Sequence, residues 1–123
     1  MLNFDVRVHP GVIFAYSQNF IDIIIRAESN GTESRWCEAN IFVPEKLSLS
    51  PDHILKKARM RLGIVEKDSK LEKNVKIYAG GYTNQQIYRC KVTLYTYDKN
   101  GVIDSRLEKN VDIRCELKKP DVL

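Results

Sequence analysis

The sequence predicts a mainly β domain of antiparallel strands, a sandwich or a barrel, and three observations carry that expectation. Apolar and polar residues alternate with period two along much of the chain, most regularly from Ile103 to Leu117. Turn-forming pairs, Asn30-Gly31 and Asn100-Gly101, separate such runs. Strands do not alternate repeatedly with helices, which argues against a parallel sheet. The count comes to seven to eight strands, with one short helix inserted at 51–62.

Phe4, Val6 and Val8 alternate with Asp5 and Arg7, the pattern of a half-buried strand. His9-Pro10-Gly11 ends it, since proline has no N–H for the ladder. Val12 to Tyr16 reads as a short edge piece. The stretch Phe20 to Pro44 reads as the organising β-hairpin, with Asn30-Gly31 supplying the positive φ of its turn. The continuous run Ile23-Ile24-Ile25 in its first strand implies burial on both faces or a local bulge. In the second strand, Cys37, Ala39, Ile41 and Val43 form the core face. Trp36, Glu38, Asn40 and Phe42 face outward.

The helix is expected from Ser50 as N-cap, Pro51 at the first helical position and Asp52 in the first turn. Ile54, Leu55, Ala58 and Leu62 share one face at helical spacing, and Gly63 suits a left-handed C-terminus. Ile64-Val65 is expected to be a short strand, Glu66 to Lys73 a charged connection, and Val75 to Ala79 another strand broken by Gly80-Gly81. Ile87 to Tyr97 is a long strand with Tyr88, Cys90, Val92 and Leu94 on its core face. Asp98-Lys99-Asn100-Gly101 turns it into the final strand, where Ile103, Leu107, Val111, Ile113, Cys115 and Leu117 share odd positions and the even positions are polar. That strand is expected to outrun its hairpin partner from Lys109 onward, and 118–123 is read as a tail.

The 123 residues are expected to form a single domain, and 43% hydrophobic with 29% charged residues is an ordinary globular balance. No apolar run approaches the roughly 18–20 residues that span a bilayer. The first residues show no secretory leader, so a cytoplasmic protein without membrane contact is expected. Cys37, Cys90 and Cys115 form no C-x-x-C pair and are odd in number, so no metal, cofactor or complete disulfide framework is expected. A Cys90–Cys115 bridge stays open as an alternative to three buried thiols. Asn30-Gly31-Thr32 fits the glycosylation acceptor pattern.

The net charge of +4 is uneven: residues 1–50 sum to −2, 51–79 to +4 and 80–123 to +2. Two surfaces emerge as candidates for partner binding. One is the basic helix face of Lys56, Lys57, Arg59 and Arg61, suited to phosphates or an acidic partner. The other is the strand face of Arg89, Lys91, Tyr95 and Tyr97, where aromatics interleave with cations. His9 and His53 have no neighbours at ligand spacing, and no nucleophile elbow or phosphate loop is present, so an enzyme is not expected.

The order strand, Asn-Gly, strand, Pro-Glu-Lys-Leu-Ser-Leu-Ser-Pro over Phe20–Pro51 resembles the immunoglobulin-like modules of the archaeal and bacterial cell-adhesion-related type. The segment YRCKVTLYTYDKNGVIDSRLEKNVDIRCEL resembles their closing hairpin, and Tyr88-Arg89-Cys90 is similar to the Tyr-x-Cys of immunoglobulin strands. The resemblance implies an immunoglobulin-like β-sandwich with a non-catalytic adhesion or interaction role; a protein partner is expected, with a homodimer as a further arrangement. Nucleic-acid binding through the basic segment is the alternative. The chain departs from the pattern in having no cysteine between Phe20 and Ile25 to partner Cys90, and in carrying the helix.

Overall fold

A computed structural model of the protein describes residues 2–29, 31 and 33–118. Eight strands follow one another: β1 (Leu2–His9), β2 (Val12–Phe14), β3 (Asn19–Ser29), β4 (Arg35–Phe42), β5 (Lys57–Val65), β6 (Lys70–Ala79), β7 (Gln86–Tyr97) and β8 (Ile103–Glu116). They form two sheets, a three-stranded one in the order β1-β3-β6 and a five-stranded one in the order β2-β8-β7-β4-β5. All pairings are antiparallel except β2 with β8.

Period-two patterning decides which side chains go inside. Ile21, Ile23, Ile25 and Ala27 of β3, with Phe4 of β1 and Ile77 of β6, are buried from the three-stranded sheet. Cys37, Ala39 and Ile41 of β4, Tyr88, Cys90, Val92 and Leu94 of β7, and Ile113 and Cys115 of β8 are buried from the other. All belong to one hydrophobic cluster. The expected core faces of β4 and β7 are therefore the observed ones, and Trp36 and Phe42 stand on the outer side.

The expected Phe20–Pro44 hairpin does not form. β3 and β4 lie in different sheets, and both edges of β3 are taken, by β1 and by β6. The Asn-Gly pair signals a reversal of direction, but it does not dictate that the flanking strands pair with each other; Asn30 and Thr32 lie outside the described residues. The three isoleucines need no bulge. Ile23 and Ile25 point to the core, and Ile24 is half-buried on the other face of a central strand, in register with Arg7 and Asn74.

The expected helix at 51–62 is also absent: no helix is present among the described residues. Residues 51–56 are an irregular loop, and 57–65 form the edge strand β5 beside β4. Ala, Leu, Met, Lys and Arg are all strong helix formers, so local propensity points the wrong way and tertiary context overrides it. The competing signal is present in the sequence. Lys57, Arg59 and Arg61 alternate with Ala58, Met60 and Leu62, and the first set is exposed while the second turns inward. Gly63 has positive φ, 121°, because a bulge places Leu62 and Gly63 where β4 passes from Glu38 to Cys37. β6 likewise begins at Lys70, so the charged connection shrinks to 66–69.

The β7–β8 hairpin forms as expected. Asp98 Oδ1 accepts from the backbone N–H of Asn100 at 2.8 Å and of Val102 at 3.0 Å, and Gly101 takes φ 76°. Lys109 to Glu116 does not outrun the partner. Val92 pairs with Lys109 and Gln86 with Cys115, while β2 covers the far edge of Arg114 to Glu116. The odd face of β8 is buried only at Ile113 and Cys115; a bulge at Thr96/Tyr97 brings Ile103 opposite Tyr97 and leaves it exposed. Cys37, Cys90 and Cys115 are all free and buried, and Cys90 faces Val111, so no Cys90–Cys115 bridge is made. Of the expected tail, 119–123 lie outside the described residues.

Candidate functional site

β5, β4, β7 and β8 run side by side, and their outward residues form rows across the sheet. One row is Lys57, Phe42, Lys91, Asn110; the next is Arg59, Asn40, Thr93, Glu108; a third is Arg61, Glu38, Tyr95, Arg106. The last is Ile64, Trp36, Tyr97, Ile103. Seven of the eight residues expected to bind partners, Lys57, Arg59, Arg61, Arg89, Lys91, Tyr95 and Tyr97, thus lie on one continuous face and not on two. Lys56 does not join them. It sits in the loop before β5, and its ammonium donates to the Leu47 carbonyl oxygen at 2.7 Å.

Cations of β5 and β7 stack on rings of β4 and β7. The Arg59 guanidinium lies 5.1 Å from the Tyr95 ring centroid, Arg61 5.4 Å from Trp36, and the Lys91 ammonium 5.0 Å from Phe42. Each such contact at a solvent-exposed site is worth about 0.5–1 kcal/mol. Arg59 Nε also donates to Asn40 Oδ1 at 2.9 Å. These contacts hold long side chains flat against the sheet and lower the entropy they lose when a partner arrives.

Carboxylates neutralise part of the face. Arg89 forks onto Asp112 at 2.9 and 3.4 Å, which raises the guanidinium pKa and lowers that of the carboxyl. Lys91 and Arg106 share Glu108 at 3.4 and 3.3 Å. The Tyr95 phenol is lowered, chiefly by its hydrogen bond with Arg106. Lys57 and Arg61 have no carboxylate within 4 Å among the described residues, so the β5 side of the face carries surplus positive charge.

Of the apolar row, only Tyr97 is a candidate in the sequence; Trp36, Ile64 and Ile103 are not. Trp36 is 39% exposed, Ile64 49% and Ile103 58%, which is unusual for side chains of this size lined up across four strands. The outward parity of Trp36 was legible in the sequence; that β5 and β8 would set isoleucines level with it was not, because two bulges fix that register. A hollow of about 280 Å³ beside Trp36, Tyr97 and Lys99 completes that end of the face.

Among the described residues no cluster of His, Cys, Asp or Glu could hold a metal ion. His9 and His53 are both exposed. Burial pushes the Cys37 thiol up to about 11 and Cys90 to about 12, so both are poor nucleophiles. No helix among the described residues is long and apolar enough to cross a membrane. No family model matches the chain, and no curated protein matches it.

Proposed function

We propose that the chain is an immunoglobulin-like β-sandwich acting as a non-catalytic protein-interaction module that binds an acidic protein surface through the outer face of the five-stranded sheet. The observation that carries the role is the row Ile64, Trp36, Tyr97, Ile103, exposed at all but the half-buried Tyr97, beside the cations Arg61 and Lys57, which have no carboxylate within 4 Å among the described residues. An aromatic and aliphatic centre with a polar, charged rim is the composition of protein interfaces, and Trp, Tyr and Arg dominate their energetics. Excess positive charge favours a carboxylate-rich partner over a second copy of the same face, so a homodimer through this surface is the less favoured arrangement.

Two features support the immunoglobulin-like reading. The strand order matches an A-B-E sheet facing an A′-G-F-C-C′ sheet, with the short β2 parallel to β8. Tyr88, two residues before Cys90, hydrogen-bonds the backbone at Asn84, the arrangement of a tyrosine corner. Three buried free thiols fit a reducing compartment, and with it the cytoplasmic location we propose.

The second reading, nucleic-acid binding, draws on the three cation-on-ring stacks of this face, two of them from β5 and one from β7, since exposed rings and cations together suit bases and phosphates. Affinity capture from host lysate by wild type, Trp36→Ala and Arg61→Glu separates the readings. A protein retained by wild type and lost by both variants supports the interaction module. Retention on DNA or heparin that falls steeply with salt and vanishes in Arg61→Glu supports the second reading. A captured protein that both variants keep overturns the assignment of this face.

A further inference from the structure

A second concavity lies at the other end of the molecule's three-stranded sheet, where β3 begins and β6 ends. It measures about 410 Å³, within the range of small-ligand sites. Its walls carry Phe20, Tyr78, Tyr82 and Ile54, with Gln18 and Asp52 among the polar groups at its margin. Phe20 is 49% exposed, Tyr82 50% and Ile54 65%, so three large apolar side chains border the hollow with about half or more of their surface open.

The walls are held from behind by buried polar residues. Ser48 Oγ donates to the His53 carbonyl oxygen at 2.9 Å and accepts from the N–H groups of Ser50 and Leu55 at 3.1 and 3.0 Å. Ser48 also exchanges two backbone hydrogen bonds with Tyr78, at 2.7 and 3.0 Å, which fixes the loop to β6. Thr83, wholly buried, donates to the Lys46 carbonyl oxygen at 2.6 Å and accepts from Gly80 N–H at 2.9 Å. The Tyr82 ring lies against Gly80 so closely that a Cβ there would come within 3.2 Å of it. Asn19 clamps Phe14 through both its backbone groups at 2.8 Å. The aromatic side chains therefore stand on a preformed backbone, the condition for binding without a large ordering cost.

Charge selects among ligands. The Lys76 ammonium, outside the lining, sits 4.6 Å from the centroid on one side of the Phe20 ring and offsets Asp52, the one carboxylate in the lining. Neither a cation nor an anion is favoured. The site asks for a neutral molecule with apolar C–H faces for the rings and hydrogen-bonding edges for Gln18, Ser50, Asp52 and His53. We propose that this cleft binds a neutral saccharide, one sugar ring stacking on Tyr82 or Phe20 and its hydroxyls meeting the polar margin. A proline-rich segment would use the rings but leave that margin unpaired.

The test is an amide NMR titration of the whole chain with neutral tetrasaccharides at millimolar concentration: α- and β-(1→4)-linked glucose, and β-(1→4)-linked mannose, xylose and N-acetylglucosamine. At least one is expected to shift the amides of Asn19, Phe20 and Tyr78 to Tyr82, and to leave the fluorescence of Trp36, on the distant face, unchanged. Tyr82→Ala and Phe20→Ala, at half-exposed positions, are each expected to weaken that binding about tenfold with the rest of the spectrum intact. Gly80→Ala, which displaces the Tyr82 ring and removes no ligand-binding atom, is expected to weaken it as well. Silence from every sugar, shifts centred on Trp36, or filling of the cleft by octaproline in place of the sugars would overturn the proposal.

Discussion

The Tyr88 hydroxyl reaches back four residues to Asn84, 2.9 Å from its carbonyl oxygen and 2.7 Å from Oδ1. Tyr88 is 4% exposed, so this bond ties the turn before β7 to the buried end of the strand. Tyr88→Phe keeps the ring and removes the donor. We expect a loss of about 1 kcal/mol, the usual net worth of such a bond. Urea denaturation measures it; a midpoint equal to wild type would mean the hydroxyl contributes nothing there.

Gly63→Ala is expected to cost about 1–3 kcal/mol. The residue holds φ 121° in the β5 bulge, a conformation that side chains rarely adopt, and an added Cβ would meet Leu71 Cδ1 at 3.4 Å. The contact itself is ordinary, so backbone strain is the larger effect. A thermal midpoint unchanged by the substitution would argue against the bulge.

Ser48 and Ser50 offer a sharper contrast. As a helix cap, Ser50 would matter; in the folded chain it is Ser48 that organises the loop. Ser48→Ala removes three hydrogen bonds at a site 5% exposed and orphans the N–H groups of Ser50 and Leu55. A loss of about 2–3 kcal/mol is expected. Ser50→Ala, whose hydroxyl accepts at 3.3 Å from Asp52 N–H near the surface, is expected to cost under about 0.5 kcal/mol. Equal losses from the two variants, read by chemical denaturation, would contradict this account.

Much of the β architecture was legible because alternation is a local signal. β4, β7 and the Asp98–Gly101 turn could be read residue by residue, since side-chain faces follow from period two alone. Pairing is not local. Nothing between Phe20 and Phe42 says that β3 and β4 belong to different sheets, because the partners that claim β3 lie before it and some fifty residues after it. β5 is ambiguous for a different reason: its Lys, Ala, Arg, Met and Leu suit a helix as well as an edge strand, and the edge of β4 decides. The site inherits both errors. The cations and Tyr95 stand out in the sequence, but Trp36 and Phe42 do not, and all of them share one face only because β5 lies beside β4.

The three cysteines make stability depend on alkaline pH. Burial raises Cys37 to about 11 and Cys90 to about 12, while unfolded thiols titrate at about 8.5. Above that value the unfolded chain releases protons that the folded chain retains, so raising the pH pulls the equilibrium toward unfolding. The stabilisation is complete below about pH 8.5 and is lost progressively as the pH climbs toward the folded values. Lysines and tyrosines titrate in the same window, so the informative quantity is a difference: the denaturation midpoint of Cys37→Ala/Cys90→Ala should fall less steeply with pH than that of wild type. Labelling by a disulfide reagent at pH 8 supplies an independent check. Cys115 lies beside β2, which spans only three residues and pairs with the end of β8, so opening of that short strand exposes it without global unfolding. Cys115 is therefore expected to react first, and Cys37 and Cys90 only at the rate at which the whole chain unfolds. Rapid labelling of all three without denaturant would show that the core between the two sheets is open to solvent.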